Sequence, residues 1–223
     1  MVNIKESEPW LLWPNTVSYG MNKNEIGKTF EGETDFTLSI RVKILSKGPN
    51  KRTLFAKLPN YMGLDIEKDN NNMLFICNFK KNNKVEAQYF FINNELGWDF
   101  NFITIRYKKS IKKIDILIND MNVFIYQLVE GEELSIGDDP HIIFGAGNFP
   151  HNGFNLNYCS FNSNCLLISK NYLSYNEISD IYEQKNETLD GIIGLYNFEE
   201  KTDYKINDLT GNCNFIHKII YKD

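Results

Sequence analysis

The nine residues Phe36–Ile44, FTLSIRVKI, alternate strictly between apolar and polar side chains. Successive side chains of an extended chain point to opposite faces. Phe36, Leu38, Ile40, Val42 and Ile44 therefore share one face, and Thr37, Ser39, Arg41 and Lys43 share the other. A helix would scatter these apolar residues around its axis. The pattern predicts a strand of an antiparallel sheet with one face buried and one solvated. The constraint recurs along the chain. RTLFAKL is a second strand, closed by Pro59-Asn60, and YMGLDIEK and MLFICNF flank a DNNN hairpin signal. VEAQYFFI follows a KKNNK turn, FITIRYK precedes KIDILIND, and Asn119-Asp120 turns the chain into VFIYQL. HIIFG, CLLIS, GIIGLYNF and NFIHKIIY complete a series of roughly a dozen short strands, the spacing of a two-sheet sandwich or jelly roll. Asparagine is frequent at the turns, where it tolerates positive φ.

Composition supports one such unit. A chain of 223 residues with 42% apolar and 14% aromatic residues can bury a sizeable core of pleated, aromatic-rich strands. The reading is a single domain over residues 1–223. The formal net charge of −5 gives no overall pull toward nucleic acid. No stretch approaches the roughly 20 apolar residues of a membrane-spanning helix. The N-terminal MVNIKESEPW lacks the apolar run of a secretory signal. The visible chain is expected to stay in the cytoplasm unless a leader has been removed. Cys77, Cys159, Cys165 and Cys213 show no metal-ligand spacing; their even number permits two disulfides, and free, partly buried thiols are the expectation. Trp10 and Trp13 are expected to pack an N-terminal strand across the core.

One segment breaks the β pattern. KNYLSYNEISDIYEQK, residues 170–185, has Ser174 three residues before Glu177, the spacing of a capping box. Ile178, Ile181 and Tyr182 form an apolar stripe at helical spacing. Leu173 stands where it can staple onto Ile178. A helix over residues 174–184 is predicted, plugging one end of the sandwich.

The order of these segments resembles the concanavalin A-like lectin/glucanase superfamily, and within it the laminin-G-like, pentraxin-like domains. LSYNEI at Leu173–Ile178 is similar to the family's short helix near the domain end. GLYNFEE at Gly194–Glu200 and DLTGNCN at Asp208–Asn214 resemble two further family segments. DFTLSIRVKI resembles the early strand, and GWDFNFITIRYKKSIKKIDILINDMNV the central stretch. The chain departs from the pattern at Tyr196, where tryptophan is usual, and at Cys213, where glycine is common. The DLTGN segment often opens such domains. Here it forms closing strands or begins a second domain, and closing strands are expected because NFIHKIIY supplies one more. The resemblance implies an all-β, antiparallel two-sheet sandwich of concanavalin A-like jelly-roll topology, with one short helix in the C-terminal half. It further implies a non-catalytic carbohydrate-recognition module, accessory to a larger polysaccharide- or glycan-acting protein. Its partners would be a glycan and further domains of that protein. A protein-interaction module and a glucanase-type hydrolase are the alternatives.

Candidate chemistry follows from the residues. Asp65, Glu67 and Asp69 alternate on one strand, where two carboxylates can reach the about 5–5.5 Å that a retaining glycosidase needs. The family's acid motif has Glu at both ends, whereas here the ends are Asp, so a solvated strand face is the favoured reading. His141, His151 and His217 accompany no G-x-S-x-G elbow. Sugar binding needs an aromatic face to stack on the ring and amides to bond its hydroxyls. The loop over residues 145–157 offers Asn148, Phe149, His151, Asn152 and Phe154, with Tyr61 and Trp98 as stacking candidates at strand starts. Calcium is the cofactor the resemblance raises. Asp208, Asn212 and Asn214, or Asp138 and Asp139, carry suitable oxygens, although turn capping explains them as well.

Overall fold

The computed structural model describes the backbone of residues 16–20, 34–44, 51–57, 62–69, 72–82, 84–93, 101–134, 142–144, 146–147, 157–158, 161–183, 190–202, 205–210 and 215–219. Side chains are described for 34–42, 54, 64, 81–82, 101–134, 165–183, 190–196 and 209–210. The strands are β1 (Thr16–Gly20), β2 (Phe36–Ile44), β3 (Lys51–Lys57), β4 (Met62–Asp69), β5 (Asn72–Lys81), β6 (Lys84–Asn93), β7 (Asn101–Lys108) and β8 (Lys113–Ile118). They continue as β9 (Met121–Gln127), β10 (Ile142–Phe144), β11 (Ala146–Gly147), β12 (Asn157–Tyr158), β13 (Phe161–Ser169), β14 (Ile192–Thr202), β15 (Lys205–Asp208) and β16 (Phe215–Ile219). Among the described residues one α-helix, α1 (Tyr175–Tyr182), stands between β13 and β14.

The strands join in one hydrogen-bonded path, β6-β5-β4-β3-β10-β1-β16-β15-β14-β13-β2-β7-β8-β9, with β11 and β12 beside it. Among the described pairings only Tyr158 to Thr53 is parallel. The ends of the path meet. Lys81 of β5 bridges to Leu134, and the Lys81 ammonium lies 2.7 Å from Glu132 and 2.9 Å from the Tyr126 hydroxyl. The Leu209–Thr210 turn follows β15, whose residues pair with β14 and β16, and β16 pairs with β1. No described helix is long and apolar enough to cross a membrane.

The turns use the predicted chemistry. Asn82, between β5 and β6, and Asn119, between β8 and β9, have φ of 47° and 53°. The Asn119 side chain also accepts from the Phe102 amide at 3.0 Å and donates to Asn101 at 2.9 Å. Lys112, at φ 50°, closes the β7–β8 connection in the same left-handed conformation with no Asn or Gly to announce it.

The alternation in β2 builds the core as expected. Phe36, Leu38, Ile40 and Val42 are buried, and so are their register partners Tyr107, Ile105 and Ile103 on β7. Ile114, Ile116 and Ile118 on β8 extend the same apolar face, as do Leu166 and Ile168 on β13. The Ile44 side chain lies outside the described residues.

The other face departs from the expectation. Thr37 and Ser39 are 0% exposed, not solvated. The cause is α1 and the segment before it. Leu173, Ile178 and Ile181 bury themselves against Leu167, Ile192 and Leu195, with Phe102 and Tyr182 at the margin. An isolated two-turn helix is unstable in water, so α1 exists because this apolar stripe has a sheet to lie on. Its start is fixed by the predicted capping box: the Ser174 hydroxyl accepts from the Glu177 amide at 3.3 Å, and the Glu177 carboxylate accepts from the Ser174 amide at 2.7 Å. The helix covers a sheet face rather than plugging an end. Trp10 and Trp13 lie outside the described residues.

Candidate functional site

Antiparallel register sets residues on neighbouring strands side by side. On the covered face this produces a polar row across four strands. Ser169 of β13 stands beside Thr37 of β2, Thr37 beside Arg106 of β7, and Arg106 beside Asp115 of β8. The next row, Leu167, Ser39, Thr104 and Leu117, mixes apolar and hydroxyl side chains. Tyrosines aside, every buried polar side chain among the described residues belongs to these two rows: Thr37, Ser39, Thr104, Arg106, Asp115 and Ser169.

Buried polar groups need partners, and the chain after β13 supplies them. The Ser169 hydroxyl accepts from the Asn171 amide at 3.0 Å. The Thr37 hydroxyl donates to the Asn171 carbonyl at 2.7 Å and accepts from the Leu173 amide at 2.9 Å. Arg106 donates to the Leu173 carbonyl at 2.8 Å. Ser39 and Thr104 bond one another at 2.9 Å. Residues 171–173 thus cross the polar row and are held largely through their backbone.

Asp115, 0% exposed, is the charged centre of the row. It accepts from Arg106 Nε at 2.9 Å and Nη2 at 3.3 Å, from Lys113 at 2.9 Å, and from the Tyr172 hydroxyl. The Arg106 guanidinium lies 4.2 Å from the Tyr172 ring centre, with Lys113 at 5.4 Å and Lys108 at 5.6 Å. Burial, and then the bond to Asp115, raise the Tyr172 hydroxyl above its ordinary range. The bonds to Asp115 and Tyr172 raise Lys113. At the far end of the face, Phe102 stacks on Tyr182 at 5.1 Å and meets Tyr175 edge-on at 5.9 Å, with the Arg41 guanidinium 5.7 Å from its centre. The hydroxyls and the guanidinium–carboxylate pair are thus buried and bonded within the chain, with aromatic rings at their margin.

Of the residues singled out from the sequence, Tyr61, Trp98, Asn148, His151, Asn152 and Asn212 lie outside the described residues. Asp65 and Glu67 take alternate positions in β4, opposite Thr53 and Lys51 on β3 and Ile76 and Leu74 on β5. Asp208 ends β15 opposite Tyr196. The side chains of these three lie outside the described ones. Cys165 is half-buried. No group of three or more His, Cys, Asp or Glu among the described residues is placed to hold a metal. Arg106, Asp115 and Tyr172 are absent from the residues that the sequence singles out. A signal exists: Asp115 is the one acid in β8, flanked by isoleucines, and a short turn over 109–112 sets it opposite Arg106.

No protein-family model matches the chain, and no curated protein matches it. Solved structures do. A candidate carbohydrate-binding protein from Bacteroides ovatus superposes with a TM-score of 0.64 at 13% identity, covering 93% of this chain and 59% of that one. A heptameric SAP-like pentraxin from Limulus polyphemus gives 0.51 at 11% identity, covering 93% of this chain and 96% of the pentraxin. A botulinum neurotoxin type C structure, whose cell entry depends on interaction with two ganglioside molecules, gives 0.51 at 17% identity over 78% of this chain and 40% of the toxin chain. The chain thus spans about three fifths of the first of these proteins and two fifths of the toxin chain. The likeness is one of fold. Antiparallel strands with one helix between β13 and β14 match the pentraxin over nearly its whole length, and that match fits a β-sandwich.

Proposed function

We propose that this chain is a carbohydrate-recognition module of the laminin-G-like, concanavalin A-like type, non-catalytic and accessory to a larger glycan-acting protein. One observation carries the reading: over 93% of its length the chain shares its fold with a candidate carbohydrate-binding protein. Fold alone does not fix function, so the residues must add chemistry. Between β11 and β12 the sequence carries Asn148, His151 and Asn152, whose amide and imidazole groups can bond sugar hydroxyls. Tyr61 and Trp98 are candidate stacking platforms. Loops on a rigid sheet scaffold hold such groups without disturbing the core.

The test is a glycan array with the purified chain, followed by calorimetry on any hit. Asn148→Ala/His151→Ala should weaken binding several-fold at an unchanged melting temperature, since each lost hydrogen bond to a neutral hydroxyl is worth about 0.5–1.5 kcal/mol. Undiminished binding moves the site away from this loop. Hydrolysis that disappears in both Asp65→Ala and Glu67→Ala would favour the glucanase reading instead. The alternative of a protein-interaction role has less to rest on: Met121 and Ile125 of β9 are 59% and 61% exposed, but they stand opposite Ile118 and Asp115, on different faces of the sheet, and form no shared apolar patch.

A further inference from the structure

The last strand of a sheet presents a row of backbone amides and carbonyls that no neighbouring strand takes up, and chains commonly guard such an edge with charged residues or proline. β9 stands at one end of the hydrogen-bonded path and pairs, among the described strands, with β8 alone. Its sequence, MNVFIYQ, contains no charge and no proline. None of its residues is buried, and Met121, Asn122, Ile125 and Gln127 are exposed. The strand at the other end of the path is different: β6 opens on Lys84 and carries Glu86.

The open edge has definite bounds. Asn122 pairs with Leu117 and Phe124 with Ile116, so Val123 is the extra residue of a bulge. A bulge bends its strand and interrupts the ladder. The run after it, Phe124–Gln127, is regular and pairs in order with Ile116, Asp115, Ile114 and Lys113. At its end the Gln127 side-chain amide donates to the Lys112 and Leu128 carbonyls at 3.3 Å and 3.1 Å, which ties the strand to the β7–β8 turn. Phe124 and Tyr126 share the face of Ile116 and Ile114, and Ile125 takes the face of Asp115. A strand laid along this run would cover apolar side chains on both faces of the sheet.

We propose that β9 pairs antiparallel with β9 of a second copy of this chain, across a twofold axis at Ile125, so that one sheet runs through both copies. This inference does not depend on the glycan reading. Two arguments select a second copy as the partner. A twofold axis lets one edge supply both halves of the ladder, so the edge is complementary to itself. Self-pairing also sets side chains of one strand against each other, where like charges repel; β9 has none to repel. Centred on Ile125, the most exposed residue of the strand, the pairing sets the two Ile125 side chains opposite one another and each Phe124 opposite a Tyr126. The dimer carries two copies of any binding site, so a repeating ligand is held by both.

Sedimentation of the purified chain from about 1 μM to about 1 mM tests the pairing. A monomer–dimer equilibrium is expected, with β9 amide exchange slowing as concentration rises. A parent that is monomeric throughout, or dimeric with β9 exchange unchanged, overturns the proposal. Ile125→Lys and Ile125→Glu each set like charges opposite one another at the axis, and each should weaken the dimer by about tenfold. Ile125 is exposed, so both variants should melt as the dilute parent does. Mixed in equal amounts they should dimerise again, because lysine then faces glutamate. A mixture as monomeric as its two components would mean that β9 meets some other surface. Variants as dimeric as the parent would place the contact away from β9. Either result overturns the pairing.

Discussion

Tyr182, on the last turn of α1, donates its hydroxyl to the Ser39 carbonyl of β2 at 2.7 Å while its ring stacks on Phe102 of β7. One side chain thus ties the helix to two strands. Burial holds the hydroxyl well above its ordinary value of 10.0. A phenol whose folded value is raised contributes stability that is intact below its unfolded value and lost as pH rises beyond it. Tyr107 and Tyr172 are raised as well, chiefly by burial. Chemical denaturation should therefore show stability level up to about pH 9.5 and falling above pH 10. Tyr182→Phe should cost about 0.5–1.5 kcal/mol at neutral pH and flatten the alkaline fall. An unchanged alkaline slope in this variant would assign the fall to the other two phenols and Lys113, whose folded value is raised as well.

Asp115 and Arg106 should behave as a unit. Asp115→Ala leaves the 7%-exposed Arg106 without its carboxylate, and stranding one buried ion typically costs about 3–5 kcal/mol. Replacing both, as Arg106→Met/Asp115→Leu, should cost less than the sum of Arg106→Met and Asp115→Leu, because no lone charge remains. Urea denaturation of the four proteins in the cycle measures the coupling. Additive losses would mean that the pair carries no mutual stabilisation.

What the sequence made legible follows from the range of the interactions. The β2 alternation, the Asn82 and Asn119 turns and the Ser174–Glu177 box are local, and each stands where its residues place it. The wet face expected for Thr37 and Ser39 is a local inference too, and it fails for a non-local reason. Their cover comes from residues more than 130 positions later in the chain. Period-2 patterning says which residues share a face, not what the rest of the chain lays upon it. Arg106 and Asp115 stay hidden for a related reason: a charged residue in a strand reads as solvent-facing until the register across the hairpin shows its partner.

Gly191 is a further point where backbone geometry decides. Its φ of +74° lies in the left-handed region, and an added Cβ would come within 2.2 Å of the Asn171 side-chain amide nitrogen. Gly191→Ala should cost about 1–2 kcal/mol from the conformation alone, and more if Asn171 must leave the Asp190 carbonyl it bonds at 3.1 Å. Thermal denaturation of Gly191→Ala beside Gly131→Ala separates the two terms. Gly131 has φ +81°, and a Cβ added there would meet nothing within 4 Å, so it bears the conformational cost only. Equal losses at both sites would show that Asn171 yields freely.

The capping box gives the helix its own acid response. The Glu177 carboxylate accepts from the Ser174 amide and hydroxyl, both at 2.7 Å, and these bonds hold it below its ordinary value of 4.5. A carboxylate with a depressed folded value contributes stability that is present above the unfolded value and lost as pH falls through the depressed one. The helix should therefore loosen only below about pH 4.5. Ser174→Ala should cost about 0.5–2 kcal/mol at neutral pH, since it removes the acceptor for the Glu177 amide. Glu177→Gln keeps a side chain able to accept from the Ser174 amide but removes the titrating group. Exchange of the Ile178 amide, bonded to the Ser174 carbonyl at 3.1 Å, reports on the helix directly. It should accelerate between about pH 4.5 and pH 3, relative to the intrinsic rate, in the parent and not in Glu177→Gln. Equal acid acceleration in both proteins would place the sensitive group elsewhere.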